Sequence, residues 1–227
     1  MIKFYYSLAP NPMKVALFLE EAGLPYEAIP VDTRKGHQFS PEFAKLNPNN
    51  KVPAIVDGAT TVFDSSAILL YLGEKTGQFM AGDRGELLSW LMFTASGVGP
   101  YSGQSVHFRH FAPEPKDYAV ERYLFEAKRH YGILDAHLAH RPFMLGDEYG
   151  IVDMAVWGWA RMIPFVLGAN ATDAAPWSAF PNLKRMFDAV SARPAAARAL
   201  ALKDKHTFKT EMDAESKAHM FRHIKAA

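Results

Sequence analysis

The sequence predicts two domains of different class, a small α/β domain over residues 1–80 followed by an all-α domain over residues 87–227. Short apolar runs alternate with helix-like stretches only as far as about residue 72. Beyond residue 77 the strand-like alternation disappears and almost every segment carries helical periodicity. A glycine-flanked break at residues 82–85 separates the two regimes. The length of 227 residues suits one large domain or two small ones, and 49% hydrophobic with 22% charged residues is a globular mixture able to fill a core.

The elements follow in order. Residues 2–6 form a strand, and residues 13–21 a helix whose apolar face is Val15, Leu17, Phe18, Leu19 and Ala22, with Glu20 and Glu21 on a solvated face. Gly23 stops that helix ahead of Pro25. A second strand over 26–31 and a short helix over 41–45 come next. Strands at 54–56 and 61–63 make a hairpin about Asp57-Gly58. A helix over 65–72 starts at Asp64-Ser65-Ser66, whose side-chain oxygens suit a cap. The order β-α-β-α-β-β-α gives one small mixed sheet with helices around it. Helices are then expected at 86–97, 118–138, 150–165 and 181–191, with breaks at 112–115, Arg141-Pro142 and Ala175-Pro176. The tail over 203–227 is polar with scattered Phe208, Met212, Met220 and Phe221, and reads as a surface helix packed on its own domain or on a partner.

Composition removes several function classes. With 25 basic and 24 acidic side chains there is no global field to collect nucleic acid or an anionic membrane. Cysteine is absent, which removes disulfides, thiolate metal sites and any thiol nucleophile of the chain's own. Any thiol chemistry must use a borrowed sulfur. The first residues lack the apolar core and cleavage site of a signal peptide. The longest apolar stretch, 151–167, is interrupted by Asp153, Arg161 and Pro164 and reads as a core helix; a cytoplasmic protein is expected, with neither membrane nor nucleic acid as partner. His107, His110, His130, His137 and His140 fall in helical territory without paired carboxylates, so no metal is expected. Trp157 and Trp159 read as core.

Three segments could carry chemistry. In Tyr6-Ser7-Leu8-Ala9-Pro10-Asn11-Pro12, the end of the first strand meets the start of a helix, whose N–H groups favour an anion such as a thiolate. The Asn11 amide could donate to that anion or simply cap the helix. In Lys51-Val52-Pro53-Ala54-Ile55-Val56, a cis Val52-Pro53 bond would turn the Val52 N–H and C=O toward an extended peptide-like ligand; a plain strand-start proline is the alternative. In Phe63-Asp64-Ser65-Ser66, a carboxylate, a hydroxyl and a helix start could grip both charges of an α-amino acid end, or serve only as a cap. All three lie at one edge of one small domain, where together they suit a γ-linked peptide with a thiol.

These residues resemble the glutathione transferase superfamily over essentially the whole chain. Residues 1–80 resemble its thioredoxin-like domain, with Val52-Pro53 at the family's cis-proline and Asp64-Ser65 at its γ-glutamyl grip; the rest resembles its all-helical domain. Gly150-Ile151-Val152-Asp153 is similar to the family's N-capping box with glycine in place of Ser or Thr, and Arg193-Pro194 resembles the ending of the following helix. The bacterial nu class, with the fungal nitrogen regulator that shares its fold, is the most similar class. That likeness is carried by Pro10-Asn11, Lys35-Gly36-His37-Gln38-Phe39-Ser40-Pro41-Glu42-Phe43, Asn47-Pro48-Asn49-Asn50-Lys51-Val52-Pro53, Ala67-Ile68-Leu69-Leu70-Tyr71-Leu72, Gly99-Pro100 with Gly103-Gln104, and Glu121-Arg122-Tyr123.

The resemblance implies a homodimeric enzyme with glutathione as co-substrate. By it, Asn11 contacts the glutathione sulfur, Gln38 the glycyl end, Val52 the cysteinyl backbone, and Asp64 and Ser65 the γ-glutamyl end; Lys51 and Pro53 also belong to the glutathione site, and Arg122 reaches glutathione at the dimer interface. Tyr101, Gln104 and His107 are expected to line a second pocket for a small electrophile or disulfide. Ala9 stands where nu-class members carry a threonine, so that hydroxyl donor is missing; Ser7 replaces it only if the loop turns it toward the sulfur. Two reactions fit, addition of glutathione to an electrophilic carbon and reduction of a disulfide by two glutathiones. A non-catalytic glutathione-binding regulator on the same fold is the alternative.

Overall fold

A computed structural model describes residues 1–114, 116–170 and 173–223. Pro115 of the expected break at 112–115 and residues 224–227 of the tail lie outside them. The chain falls into two compact units, Met1–Leu72 together with the chain from Ala195 onward, and Gly73–Pro194.

In the first unit β1 (Ile2–Tyr6) lies at the centre of a four-stranded sheet in the order β2-β1-β3-β4. It pairs parallel with β2 (Tyr26–Pro30) and antiparallel with β3 (Ala54–Asp57), which pairs antiparallel with β4 (Thr60–Phe63). The period of two is visible in β1, where Ile2, Phe4 and Tyr6 are buried and Lys3 is exposed. The hairpin turn falls at Gly58-Ala59, one residue later than expected, with Gly58 at φ +61°.

Helix α1 (Pro10–Glu21) begins three residues earlier than its periodicity suggested, because proline is well tolerated in a first turn. Every residue from Pro12 to Leu19 is buried, so this helix is covered all round. Glu20 is not on a solvated face. Its carboxylate accepts from the Tyr26 hydroxyl (2.7 Å) and from Arg198 Nε (2.8 Å). Helix α2 (Pro41–Leu46) is capped by Ser40 Oγ, which accepts the Phe43 N–H, and α3 (Ser65–Thr76) follows β4 directly.

The second unit contains α4 (Arg84–Phe93), α5 (Gly99–Val106), α6 (Asp117–His137), α7 (Ile151–Ala160), α8 (Ile163–Val166) and α9 (Pro181–Ser191). One continuous helix was expected over 150–165; it divides into α7 and α8, Pro164 having no N–H to continue the first. Asp153 is buried in α7 and accepts the Met144 N–H (2.8 Å) and the Gly150 N–H (2.9 Å). Glycine at 150 supplies no reciprocal cap, and a Cβ there would stand 2.9 Å from the Phe79 carbonyl oxygen, which explains why Ser or Thr is absent. Trp157 is fully buried and donates to Ser191 Oγ (3.0 Å), as a core residue does.

The remaining helices, α10 (Pro194–Leu200), α11 (Leu202–Lys205) and α12 (Ala214–Met220), lead the chain back to the α/β unit. Sequence reasoning grouped them with the helical domain. Ala195, Ala196, Ala199 and Leu202 are buried, Tyr6 donates its hydroxyl to the Leu202 carbonyl (3.2 Å), and the Phe208 ring meets Tyr6 edge-on at 5.6 Å. A segment of low mean hydropathy thus packs through a few well-placed groups. Among the described residues no helix is long and apolar enough to cross a membrane.

Candidate active site

The loop after β1 is built without a side-chain cap. Ala9 is the N-cap residue of α1, so Asn11 sits one turn position inside the helix and is not the cap. Pro10 and Pro12 contribute no N–H, and the Met13 N–H is taken by the Ala9 carbonyl (3.3 Å). In place of the expected row of backbone donors, the first turn before Met13 carries a single backbone N–H, that of Asn11.

Asn11 lines a cavity of about 150 Å³ together with Lys51, Val52, Pro53, Asp64 and Ser65. The Val52-Pro53 bond is cis, and the ladder of β3 starts only at Ala54, leaving Val52 outside it. The stretch before it is pinned by Asn47, whose Nδ2 donates to the Lys51 carbonyl (2.7 Å) while its Oδ1 accepts the Asn49 N–H (2.9 Å). Across the cavity, Asp64 holds φ +71°, a left-handed conformation that aspartate tolerates better than most residues. Its Oδ1 accepts the N–H groups of Ser66 (2.9 Å) and Ala67 (3.2 Å). The acid is thus a cap whose carboxylate stays exposed.

Ser7 and Gln38 line a neighbouring cavity of about 270 Å³ that shares Asn49, Lys51 and Val52 with the first. The structure thus brings Asn11, Lys51, Val52, Pro53, Asp64 and Ser65 together, with Gln38 one step along the same wall. Ser7 is buried, accepts the Ala9 N–H at 3.4 Å and lines the second of these two cavities, whereas Asn11 lines the first. Gln38 is also buried, donating to the Thr33 carbonyl (3.2 Å) with its Oε1 unpartnered.

Sequence reasoning missed Lys14. Its side chain is fully buried in α1, with Nζ 3.5 Å from Ser65 Oγ. Burial lowers its pKa to about 7, opposed by the negative charge of Asp64. A cation on the inner side of Ser65 favours a carboxylate on the outer side. The signal was available, because a lysine between Met13 and Val15 sits in a helix whose apolar residues run all round it.

The other expected residues lie in the helical unit. Tyr101 and Gln104, on α5, and His107, at the start of the turn that follows, recur at three-residue spacing; the Tyr101 ring stacks on His130 at 5.0 Å. Arg122 donates to Glu126 (2.8 Å), which also accepts from Arg129 (2.8 Å). Among the described residues no group of His, Cys, Asp or Glu could hold a metal ion. His110, His130 and His137 each place a ring nitrogen within 3.1 Å of a backbone carbonyl.

The glutathione S-transferase N-terminal domain matches residues 9–75 and the glutathione S-transferase C-terminal domain residues 93–194. The disulfide-bond oxidoreductase YfcG of Escherichia coli is 41% identical over 210 residues, covering 88% of this chain and 94% of that protein. The chain belongs to the glutathione S-transferase family. A glutathione transferase family member from Pseudomonas fluorescens, solved with two glutathione molecules bound, shares 40% identity with a TM-score of 0.81 over 88% of this chain and 92% of that one. A glutathione transferase from Pseudomonas putida, solved with one glutathione disulfide per subunit, shares 38% identity with a TM-score of 0.80 over 88% and 90% of the two chains. The four-stranded mixed sheet with its helices is accordingly the thioredoxin-like domain of a glutathione transferase fold, and the helical unit its all-α domain.

Proposed function

We propose that this chain is a glutathione-dependent transferase of the nu class, with disulfide reduction as its main activity. The observation that carries the reading is the single cavity in which Asn11, Val52, Asp64 and Ser65 meet. Glutathione has a zwitterionic γ-glutamyl end, a thiol in the middle and a carboxylate at the glycyl end. The residues fit that order. Asp64 takes the ammonium; Ser65, with Lys14 behind it, takes the α-carboxylate; the Val52 backbone pairs with the cysteinyl peptide; Lys51 and Gln38 take the glycyl end.

The chemistry required of the protein is to hold a thiolate. A free thiol titrates near 8.5, so only a few per cent is ionised at neutral pH. Donation from Asn11 favours the ionised form, and a shift of about one unit corresponds to roughly 1.4 kcal/mol of preferential thiolate binding. The thiolate of one glutathione attacks a disulfide sulfur, forming a mixed disulfide and releasing one thiolate product. A second glutathione thiolate then attacks the glutathione sulfur of that mixed disulfide, giving glutathione disulfide and the second thiolate product. The chain holds no cysteine, so no enzyme-bound disulfide intervenes. Similarity to a named disulfide-bond oxidoreductase and to a structure with glutathione disulfide bound favours this over conjugation. Tyr101, Gln104 and His107 supply the second pocket, and Arg122 acts across a homodimer by exchanging Glu126 for a glutathione carboxylate.

The test is glutathione-dependent turnover of hydroxyethyl disulfide and of a chloronitrobenzene, by the parent and by Asn11→Ala. The disulfide should be reduced faster than the aryl chloride is conjugated, and Asn11→Ala should slow it at least tenfold. Glutathione binding without turnover of either probe would make the chain a binding protein.

A further inference from the structure

The family domains end at residue 194, yet the chain beyond them builds part of the site. The Lys209 N–H donates to Asp32 Oδ2 (2.8 Å), and Arg34 Nη1 donates to the Lys209 carbonyl (2.8 Å). Asp32 is buried, and its other oxygen caps the turn Thr33–Lys35 by accepting the Arg34 N–H. One carboxylate therefore fixes both the turn beside the second cavity and the tail that crosses it. The Lys209 ammonium then reaches Asp213 (2.9 Å) and Glu215 (2.7 Å), and Asp213 caps α12 through the Ser216 N–H (2.8 Å).

This anchoring lays His219 against Gly36. A Cβ at Gly36 would stand 2.6 Å from His219 Nδ1, and its φ of +78° also requires glycine. His219 and Met220 consequently line the cavity of about 270 Å³ that also holds Gln38 and Lys51. None of the described residues lining that cavity is acidic. His219 Nε2 is 3.9 Å from Glu215, beyond hydrogen-bond range, so the ring is not committed to that carboxylate.

We propose that the C-terminal segment is a specificity element of the glutathione site, in which His219 donates, beside Lys51, to the glycyl carboxylate and Met220 closes the wall behind it. The inference rests on the glutathione reading above and adds a recognition residue that neither family domain contains. It distinguishes glutathione from peptides whose glycyl carboxylate is missing or masked.

The experiment is calorimetric titration of the full chain and of its His219→Ala and His219→Gln variants with two ligands, glutathione and its glycyl monoethyl ester, which lacks that negative charge. The parent should bind glutathione more tightly than the ester. His219→Ala should weaken glutathione about fivefold and the ester hardly at all, the effect of one partly exposed hydrogen bond to a charged group. His219→Gln, which keeps an N–H donor, should recover part of the difference. Equal weakening of both ligands, which a merely structural role would produce, or no weakening of either, would overturn the assignment. A parent chain that binds neither ligand would overturn the glutathione reading itself, and the role of His219 with it.

Discussion

Each unit of this protein fully buries a side chain that is ordinarily charged at neutral pH, and the two are treated differently. Asp153, in the helical unit, is ringed by backbone donors, accepting from Met144 and Gly150 within 2.9 Å. Lys14, in the α/β unit, has a single hydroxyl at 3.5 Å, and that hydroxyl belongs to Ser65 at the edge of a cavity. Burial pushes both groups toward neutrality, each to about 7. The difference lies in satisfaction. A polar group whose hydrogen bonds are all made within the fold serves the fold, whereas one held short of partners beneath a cavity serves what enters it.

The largest expected effect breaks the satisfied side. Asp153→Ala strands two buried N–H groups and should destabilise the protein by about 2–4 kcal/mol, read as a lower denaturation midpoint with an unchanged slope. Lys14→Met should do the opposite: folding survives, because an apolar side chain of similar length fills the same space, while glutathione binding weakens about tenfold, or ~1.4 kcal/mol. The pH dependence sharpens the contrast. With a folded-state pKa of about 7, below its unfolded value near 10.4, Lys14 binds fewer protons in the folded protein than in the unfolded chain across that interval. Its contribution to stability therefore increases from pH 7 toward 10, is absent below 7, and should disappear in Lys14→Met when melting is followed across that range.

The smallest expected effect separates two roles within one residue. Asp64→Asn keeps a side-chain oxygen for the Ser66 and Ala67 N–H groups and tolerates the left-handed backbone, so stability should change by less than about 0.5 kcal/mol. The charge is lost, and glutathione affinity should fall about threefold by the same titration, less than for Lys14→Met because Asp64 is exposed to solvent.

Much of this was legible in the residues. Alternation in Ile2, Phe4 and Tyr6, the Asp57-Gly58 signal and the Asp64-Ser65-Ser66 cap fix local structure by local rules, and they located the strands and the start of α3 to within a residue or two, while α3 runs four residues past its expected end. The segments that meet at the first cavity were legible too, because Asn11, Val52-Pro53 and Asp64-Ser65 fall at strand and helix ends. What escaped depends on contacts far apart in sequence. Glu20 was read as solvated because nothing near it announces Arg198, 178 residues away. The polar tail reads in sequence as a surface helix packed on its own domain or a partner, and the contacts that hold it on the α/β unit, hydrogen bonds and a ring contact from Tyr6 and Asp32 and the close approach of His219 to Gly36, carry no periodicity. Lys14 escaped because a lone lysine in a helix is ordinarily an exposed one.

The claim that the site stabilises a thiolate through Asn11 is tested most directly by titrating bound glutathione, following the ultraviolet absorbance of its thiolate in the parent and in Asn11→Ala. The parent should hold the bound thiol about one unit or more below the free value near 8.5, and Asn11→Ala should return it most of the way. The same depressed value in both would remove Asn11 from the mechanism and contradict the account.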